Sequence, residues 1–120
     1  MELERLTYTI NGAIFEVNRV LGSGFLEKVY ENALNIELLE RGLKTELQKP
    51  ISVYYKNKVV GEYFADIVVE DNVLLELKAV TELDKIHEAQ ILNYLKATHI
   101  KVGLLVNFTY PKAQVKRFIL

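Results

Sequence analysis

Apolar residues at Leu3, Leu6, Ile10, Ala13, Ile14, Val17 and Val20 recur three or four positions apart. That spacing places them on one face of a helix. Gly22-Ser23-Gly24 breaks the period. Ser23 is then a candidate N-cap for a second helix running to about Arg41, where Gly42 supplies a stop. Beyond it the period shortens to two. "LKTELQKPISVYY" and "KVVGEYFADIVV" are rich in β-branched and aromatic residues, with Lys56, Asn57 and Lys58 as the hairpin turn between them. Pro50 lacks an N–H for a ladder, so the first of these runs is expected at a sheet edge or to carry a bulge. Glu70 to Asn72 turns the chain into a third strand, Val73 to Val80, and a helix from about Leu83 to Ala97 follows. "KVGLLVNF" is almost uninterrupted in its apolar character, as expected of a strand buried on both faces. "YPKA" is a turn and "QVKRFIL" a final strand. The order αα-βββ-α-β-β predicts an α/β fold, a mixed β-sheet flanked by helices.

Against this pattern some polar residues stand where apolar ones are expected. Laid out at about 100° per residue, the helix from Leu83 to Ala97 puts Gln90, Tyr94 and His87 in the middle of the face that should meet the sheet. A buried polar group without a partner costs about 1–3 kcal/mol. Three together point to a polar site between helix and sheet, although His87 or Tyr94 singly is better explained by bonds to nearby backbone. In the second helix Glu27 lies at the edge of the apolar stripe, with Tyr30 one turn along. Lys28, Glu31, Asn32 and Asn35 form the expected outer face.

The strands add two acids. Phe64, Asp66 and Val68 share one face of their strand, and Leu74, Glu76, Lys78 and Val80 one face of the next. Directly paired residues of neighbouring strands point the same way. A three-residue turn, Glu70-Asp71-Asn72, therefore sets Asp66 opposite Glu76, whereas a two-residue turn would separate them. The odd turn or a compensating bulge is expected. Two facing carboxylates repel, and a hard divalent cation held by oxygen ligands would relieve the conflict. The plain alternative is a solvent-facing Glu76–Lys78 ion pair.

Composition narrows the class. Of 120 residues, 50% are hydrophobic and 26% charged, enough apolar material for one core, and residues 1–120 are read as a single domain. The net charge of −1 excludes binding to nucleic acid by overall basicity. Local patches are open to it: Lys49, Lys56 and Lys58 around the first hairpin, and Lys112, Lys116 and Arg117 near the C-terminus. The absence of cysteine excludes disulfides and thiolate chemistry. No apolar run approaches the roughly 18 residues that span a bilayer, and "MELERLTYTI" has no signal-peptide layout. The expectation is a cytoplasmic protein with no membrane contact.

Taken together, the motifs resemble a known family. Asp66 followed ten residues later by Glu76-Leu77-Lys78 is similar to the D-x(n)-[D/E]-x-K signature of the PD-(D/E)xK nuclease superfamily. Gln90-Ile91-Leu92-Asn93-Tyr94 resembles the Q-x-x-x-Y motif of its RecB-like and Cas4-like branch. Gly24-Phe25-Leu26-Glu27-Lys28-Val29-Tyr30 resembles the G-x-x-E-x-x-Y motif of a family of small prokaryotic members. The residue before Asp66 is Ala65 rather than proline, a departure from the named signature.

The resemblance implies a restriction-endonuclease-like core and a nuclease using Mg²⁺ or Mn²⁺ on DNA, or less readily RNA. It implies that Asp66 and Glu76 hold the metal with the Leu77 carbonyl, and that Glu27 completes the shell. Lys78 would orient or deprotonate the attacking water. Gln90 and Tyr94 would support the site or touch the substrate backbone, and Tyr30 is expected beside them in substrate binding. For His87 the expectation of substrate contact comes from the helical wheel alone. A homodimer would enlarge the binding surface, with "RFIL" as a buried strand or an interface. The alternative function is a non-catalytic nuclease-fold protein that binds nucleic acid or a protein partner.

Overall fold

The computed structural model describes residues 2–120. Helix α1 (Leu3–Leu21) buries Leu6, Ile10, Ala13, Ile14 and Val17. Val20, one residue from its end, is exposed, while Leu21 still packs against the core. Helix α2 (Glu27–Glu40) begins after Leu26, not after Ser23. Its far end closes as foreseen. Leu43 N–H donates to Leu38 O and Gly42 N–H to Leu39 O, with Gly42 at φ 80°, the paired bonds of a glycine-terminated helix.

Strand β1 (Thr45–Tyr55) and strand β2 (Lys58–Val69) form a long hairpin. Its turn is only Lys56-Asn57, both at positive φ, between the paired Tyr55 and Lys58. That conformation suits the twist of two antiparallel strands. Strand β3 (Val73–Lys78), helix α3 (Lys85–Thr98), strand β4 (Val102–Asn107) and strand β5 (Gln114–Ile119) complete the chain. The five strands lie in sequence order, β1 to β5. Only β3 and β4 are parallel, joined through α3. The sheet is therefore mixed and flanked by helices, and β1, with Pro50, is an edge strand. All six residues of β4 are buried, so its apolar run reflects cover on both faces.

Two apolar layers hold the sheet. On one side Ile67, Val69, Leu75, Leu77, Leu104 and Val106 pack against α1 and α2. On the other, Val68, Leu74 and Leu105 pack against Ile91, Tyr94 and Leu95 of α3. Gly103 lets α3 approach, since a Cβ there would lie 3.0 Å from Ile91 Cδ1.

The pairing of β2 with β3 is short. Val69 faces Val73, Val68 faces Leu74 and Ile67 faces Leu75. The turn between them has three residues, Glu70 to Asn72, as the parity of the acids requires. Past Ile67–Leu75 the two strands part. The β1–β2 hairpin continues alone from Lys49–Ala65 out to its turn, and Ile51 and Ala65 of this arm join the apolar layer under α3. β3 stops at Lys78 rather than Val80, and the side chain of Asn107 replaces the ladder there. It accepts from Val80 N–H at 3.0 Å and donates to Val80 O at 2.9 Å.

Candidate active site at the sheet fork

The fork between β2 and β3 leaves backbone without strand partners, and Asp66 takes up the slack. Its Oδ2 accepts Leu77 N–H at 2.8 Å. Its Oδ1 receives Gln48 Nε2 at 3.3 Å. Gln48 lies opposite Asp66, between the paired Leu47–Ile67 and Lys49–Ala65, at φ 50°. The same Nε2 donates to Glu31 Oε1 at 2.6 Å. An amide thus ties an acid of α2 to an acid of β2.

Glu76, the next acid at the fork, is 5% exposed, and its Oε1 has no hydrogen-bond partner. Its carboxyl is pushed up to about 9, first by burial and then by the negative charge of Asp66, with Lys78 pulling the other way. Burial alone makes a carboxylate costly, and a like charge beside it more so. Tyr94 carries the same signature. Its hydroxyl is pushed up by burial and then by the charge of Glu76, and Gln90 Nε2 donates to it at 3.0 Å. Among the described residues Lys78 makes no ion pair. Its backbone is fixed, with Phe108 N–H donating to Lys78 O at 2.9 Å.

The structure therefore brings together Asp66, Glu76, Leu77, Lys78, Gln90 and Tyr94. Three expected residues are placed elsewhere. Tyr30 is fully buried and stacks on Phe108 with ring centroids 4.4 Å apart. Its hydroxyl donates to Gly22 O at 2.6 Å and accepts from Phe25 N–H at 3.3 Å. It locks the loop before α2 and has no surface to offer a substrate. His87 serves a helix end: its Nδ1 accepts Asp84 N–H at 3.0 Å, while Asp84 accepts Ile86 N–H. Glu27 is exposed in the first turn of α2.

The acid that α2 does bury is Glu31, 4% exposed, which also takes Lys28 Nζ at 2.6 Å. The helical wheel had assigned it to solvent. The start of β1 covers that face of α2, as the bond from Thr45 Oγ1 to Asn35 Oδ1 at 2.6 Å also shows. Gln48 and Asn107 carry no sequence signal of their roles, which depend on where two strands end. A D-x-x-H capping pair at Asp84 and His87 was available in the sequence as a variant of the capping box.

The donors at the fork fit a hard divalent cation. Two carboxylates converge, one oxygen is buried without a partner, and the proton that Glu76 retains marks where positive charge is missing. Among the described residues no group of three or more acidic, histidine or cysteine side chains is close enough to hold a metal by itself. A cation here would need backbone carbonyl, water or substrate oxygens as well, which is ordinary for Mg²⁺. No described helix is long and apolar enough to cross a membrane.

A family model of the PD-(D/E)XK nuclease superfamily matches residues 4–118. Among curated proteins none matches the sequence. The solved structure of SSO0001 is similar with a TM-score of 0.59 at 18% identity, over 77% of this chain and 48% of that one. The chain spans about half the length of SSO0001, and the likeness is one of fold. An alkaline exonuclease, LHK-Exo from Laribacter hongkongensis, is similar with a TM-score of 0.47 at 14% identity, over 98% of this chain and 70% of that one.

Proposed function

This chain belongs to the PD-(D/E)XK nuclease superfamily, and from that premise we propose that it hydrolyses phosphodiester bonds of DNA with Mg²⁺ or Mn²⁺ at the β2–β3 fork. One observation carries the reading. Asp66 and Glu76 converge where the sheet splits, and Glu76 Oε1 is buried with no protein partner. A structural module gains nothing from setting a half-buried acid against a buried one, whereas a site for a cation needs such a pair.

Asp66 and Glu76 would hold the cation, with the Leu77 carbonyl beside them. Bound there, the ion supplies polarisation of a phosphoryl oxygen and of the attacking water. The protein does the rest. Leu77 N–H and Gln48 fix both oxygens of Asp66, so that its carboxylate does not swing on binding. Lys78, free of ion pairs, orients the water and offsets charge developing on the phosphoryl group. Gln90 and Tyr94 form a donor pair at the wall of the site and position the substrate backbone. The motifs Gly24 to Tyr30 and Gln90 to Tyr94 support placing the chain in the G-x-x-E-x-x-Y family and near the RecB-like branch. In this reading Tyr30 contributes packing and Glu31, through Gln48, takes the place expected of Glu27.

The test is cleavage of labelled DNA with Mg²⁺, Mn²⁺ or a chelator. Glu76→Gln and Lys78→Ala are each expected to lower the rate by about 1,000-fold or more, as loss of a reacting group does. Calorimetry should show Mn²⁺ binding that Asp66→Asn abolishes. A Lys78→Ala protein that cuts like the wild type sinks the assigned mechanism. The second reading is a non-catalytic binding protein, favoured by there being only two acids at the fork itself. It predicts no cleavage with any divalent ion, and either no metal binding or binding unchanged in Asp66→Asn.

A further inference from the structure

Beside the fork a groove of about 660 Å³ runs between α3 and the free arm of the β1–β2 hairpin. Its walls carry Tyr54 and Tyr63 from the arm, and Gln90, Asn93, Tyr94 and Lys96 from α3. Tyr54 is 64% and Tyr63 47% exposed, large aromatic surfaces left open to water. Tyr63 and Tyr94 stand as a pair, with ring centroids 5.7 Å apart and planes tilted by 46°. The groove is continuous with the site, since Gln90 and Tyr94 line the one and border the other. Among the described residues no acidic one lines it, although the chain has 16. Lys96 lies along it, and Lys56 and Lys58 sit at the tip of the arm, Lys56 over the ring of Tyr55 at 5.4 Å.

We propose that this groove binds a single strand of DNA by stacking bases on Tyr54 and Tyr63, and delivers its backbone past Gln90–Tyr94 to Asp66 and Glu76. The proposal rests on the nuclease reading for what happens at the end of the groove, but not for the binding itself. The chemistry selects this occupant. Unpaired bases offer a π-face that aromatic side chains take up without regard to sequence. The side-chain amides of Gln90 and Asn93 can bond base edges or sugar, and a groove without carboxylates does not repel phosphate. A slot of this volume is of the size that holds small molecules, too small to admit a duplex. Stacking rather than charge would then supply the affinity, which answers how a chain of net charge −1 holds a polyanion. The salt dependence should be correspondingly shallow, because few phosphates are neutralised.

The experiment is fluorescence anisotropy of a labelled thymidylate oligomer of about 12 nucleotides, single-stranded or as a duplex, with the full chain in chelator so that nothing is cut. The single strand is expected to bind at least about tenfold more tightly than the duplex. Tyr54→Leu and Tyr63→Leu should each weaken it by about fivefold or more, while Tyr63→Phe and Tyr54→Trp, which keep a stacking ring, stay within about twofold. Equal binding of duplex and strand overturns the proposal. So does unchanged affinity in both leucine variants. Thermal unfolding of each variant guards against misfolding, and the ring-retaining pair tests stacking even if a leucine variant unfolds. The nuclease reading is scored separately. Selective strand binding without cleavage in Mn²⁺ leaves the groove standing and removes the nuclease. Cleavage of duplex DNA with unchanged leucine variants does the reverse.

Discussion

Tyr30 on α2 and Tyr94 on α3 close two motifs of similar length, and both helices pack against the sheet. Their surroundings differ. Tyr30 is wholly inside the α1–α2 layer, its ring on Phe108 and its hydroxyl spent on the backbone of Gly22 and Phe25. Tyr94 lies by the parted strands, its hydroxyl bonded to the side chain of Gln90 and its ionisation disfavoured by burial and by Glu76. A polar atom satisfied by fixed backbone is architecture. A polar atom whose neighbours are another side chain and an unpaired acid is available to a ligand. The contrast is local: the packing around Tyr30 is closed, whereas at the fork Glu76 keeps an unpartnered oxygen and Tyr94 borders an open groove.

The largest effect that would sharpen this contrast is on folding. Tyr30→Ala removes a buried ring and its stack, and should cost about 3–5 kcal/mol in denaturant unfolding, as large-to-small core changes do. Tyr30→Phe keeps the ring and loses the loop bonds, at about 1–2 kcal/mol, with cleavage unchanged per folded molecule. Tyr94→Phe should do the opposite, leaving stability within about 0.5 kcal/mol and lowering cleavage by about tenfold. If Tyr94→Phe unfolds the protein while Tyr30→Phe only slows it, the assignment of the two regions is reversed.

Next in size is a dependence on pH confined to the fork. The Glu76 carboxyl sits at about 9 in the folded protein, above its usual value of 4.5. Between those values the folded chain holds a proton that the unfolded chain has released. Stability is therefore full below about pH 4.5 and falls as pH rises towards 9, by at most about 1.4 kcal/mol per pH unit. Unfolding in chelator from pH 5 to 9 should show this slope, and Glu76→Gln should flatten it. Parallel curves for the two proteins would mean that Glu76 is not held neutral by burial and Asp66.

The two regions were not equally legible in the sequence. Strand parity was decisive, because a period of two turns one turn length into a statement about faces. Three residues from Glu70 to Asn72 put Asp66 and Glu76 together. The apolar run in β4 was as plain, because burial on both faces leaves no alternation to misread. Helix α2 was read less well. A wheel assumes one buried stripe, but α2 is covered both by α1 and by the start of β1, so Glu31 and Asn35 are engaged where solvent was expected. Tyr30 was read as a ligand contact because motif spacing records which side a residue takes and not how deep it lies. The fork itself had no local signal. It exists because β2 outruns β3, and Asp66 and Asn107 substitute side-chain bonds for the missing ladder.

The smallest expected effect bears on that misreading most directly. Glu31 accepts from Gln48 at one oxygen and from Lys28 at the other, and the same Gln48 amide reaches Asp66. Glu31→Ala leaves Gln48 without its shorter bond and loosens the hold on Asp66, a cost of about 1–2 kcal/mol. Glu27, exposed at the start of the same helix, should cost less than about 0.5 kcal/mol when replaced by alanine. Cleavage should follow the same ranking, several-fold lower for Glu31→Ala and unchanged for Glu27→Ala. Glu31→Gln should recover part of the loss, because its carbonyl still accepts from Gln48. A double-mutant cycle of Glu31→Ala with Gln48→Ala measures the tether itself, since residues in one hydrogen-bond network do not contribute additively. A Glu27→Ala protein more impaired than Glu31→Ala would return the role to the motif glutamate, and would mean that α2 presents a different face to the fork when substrate is bound.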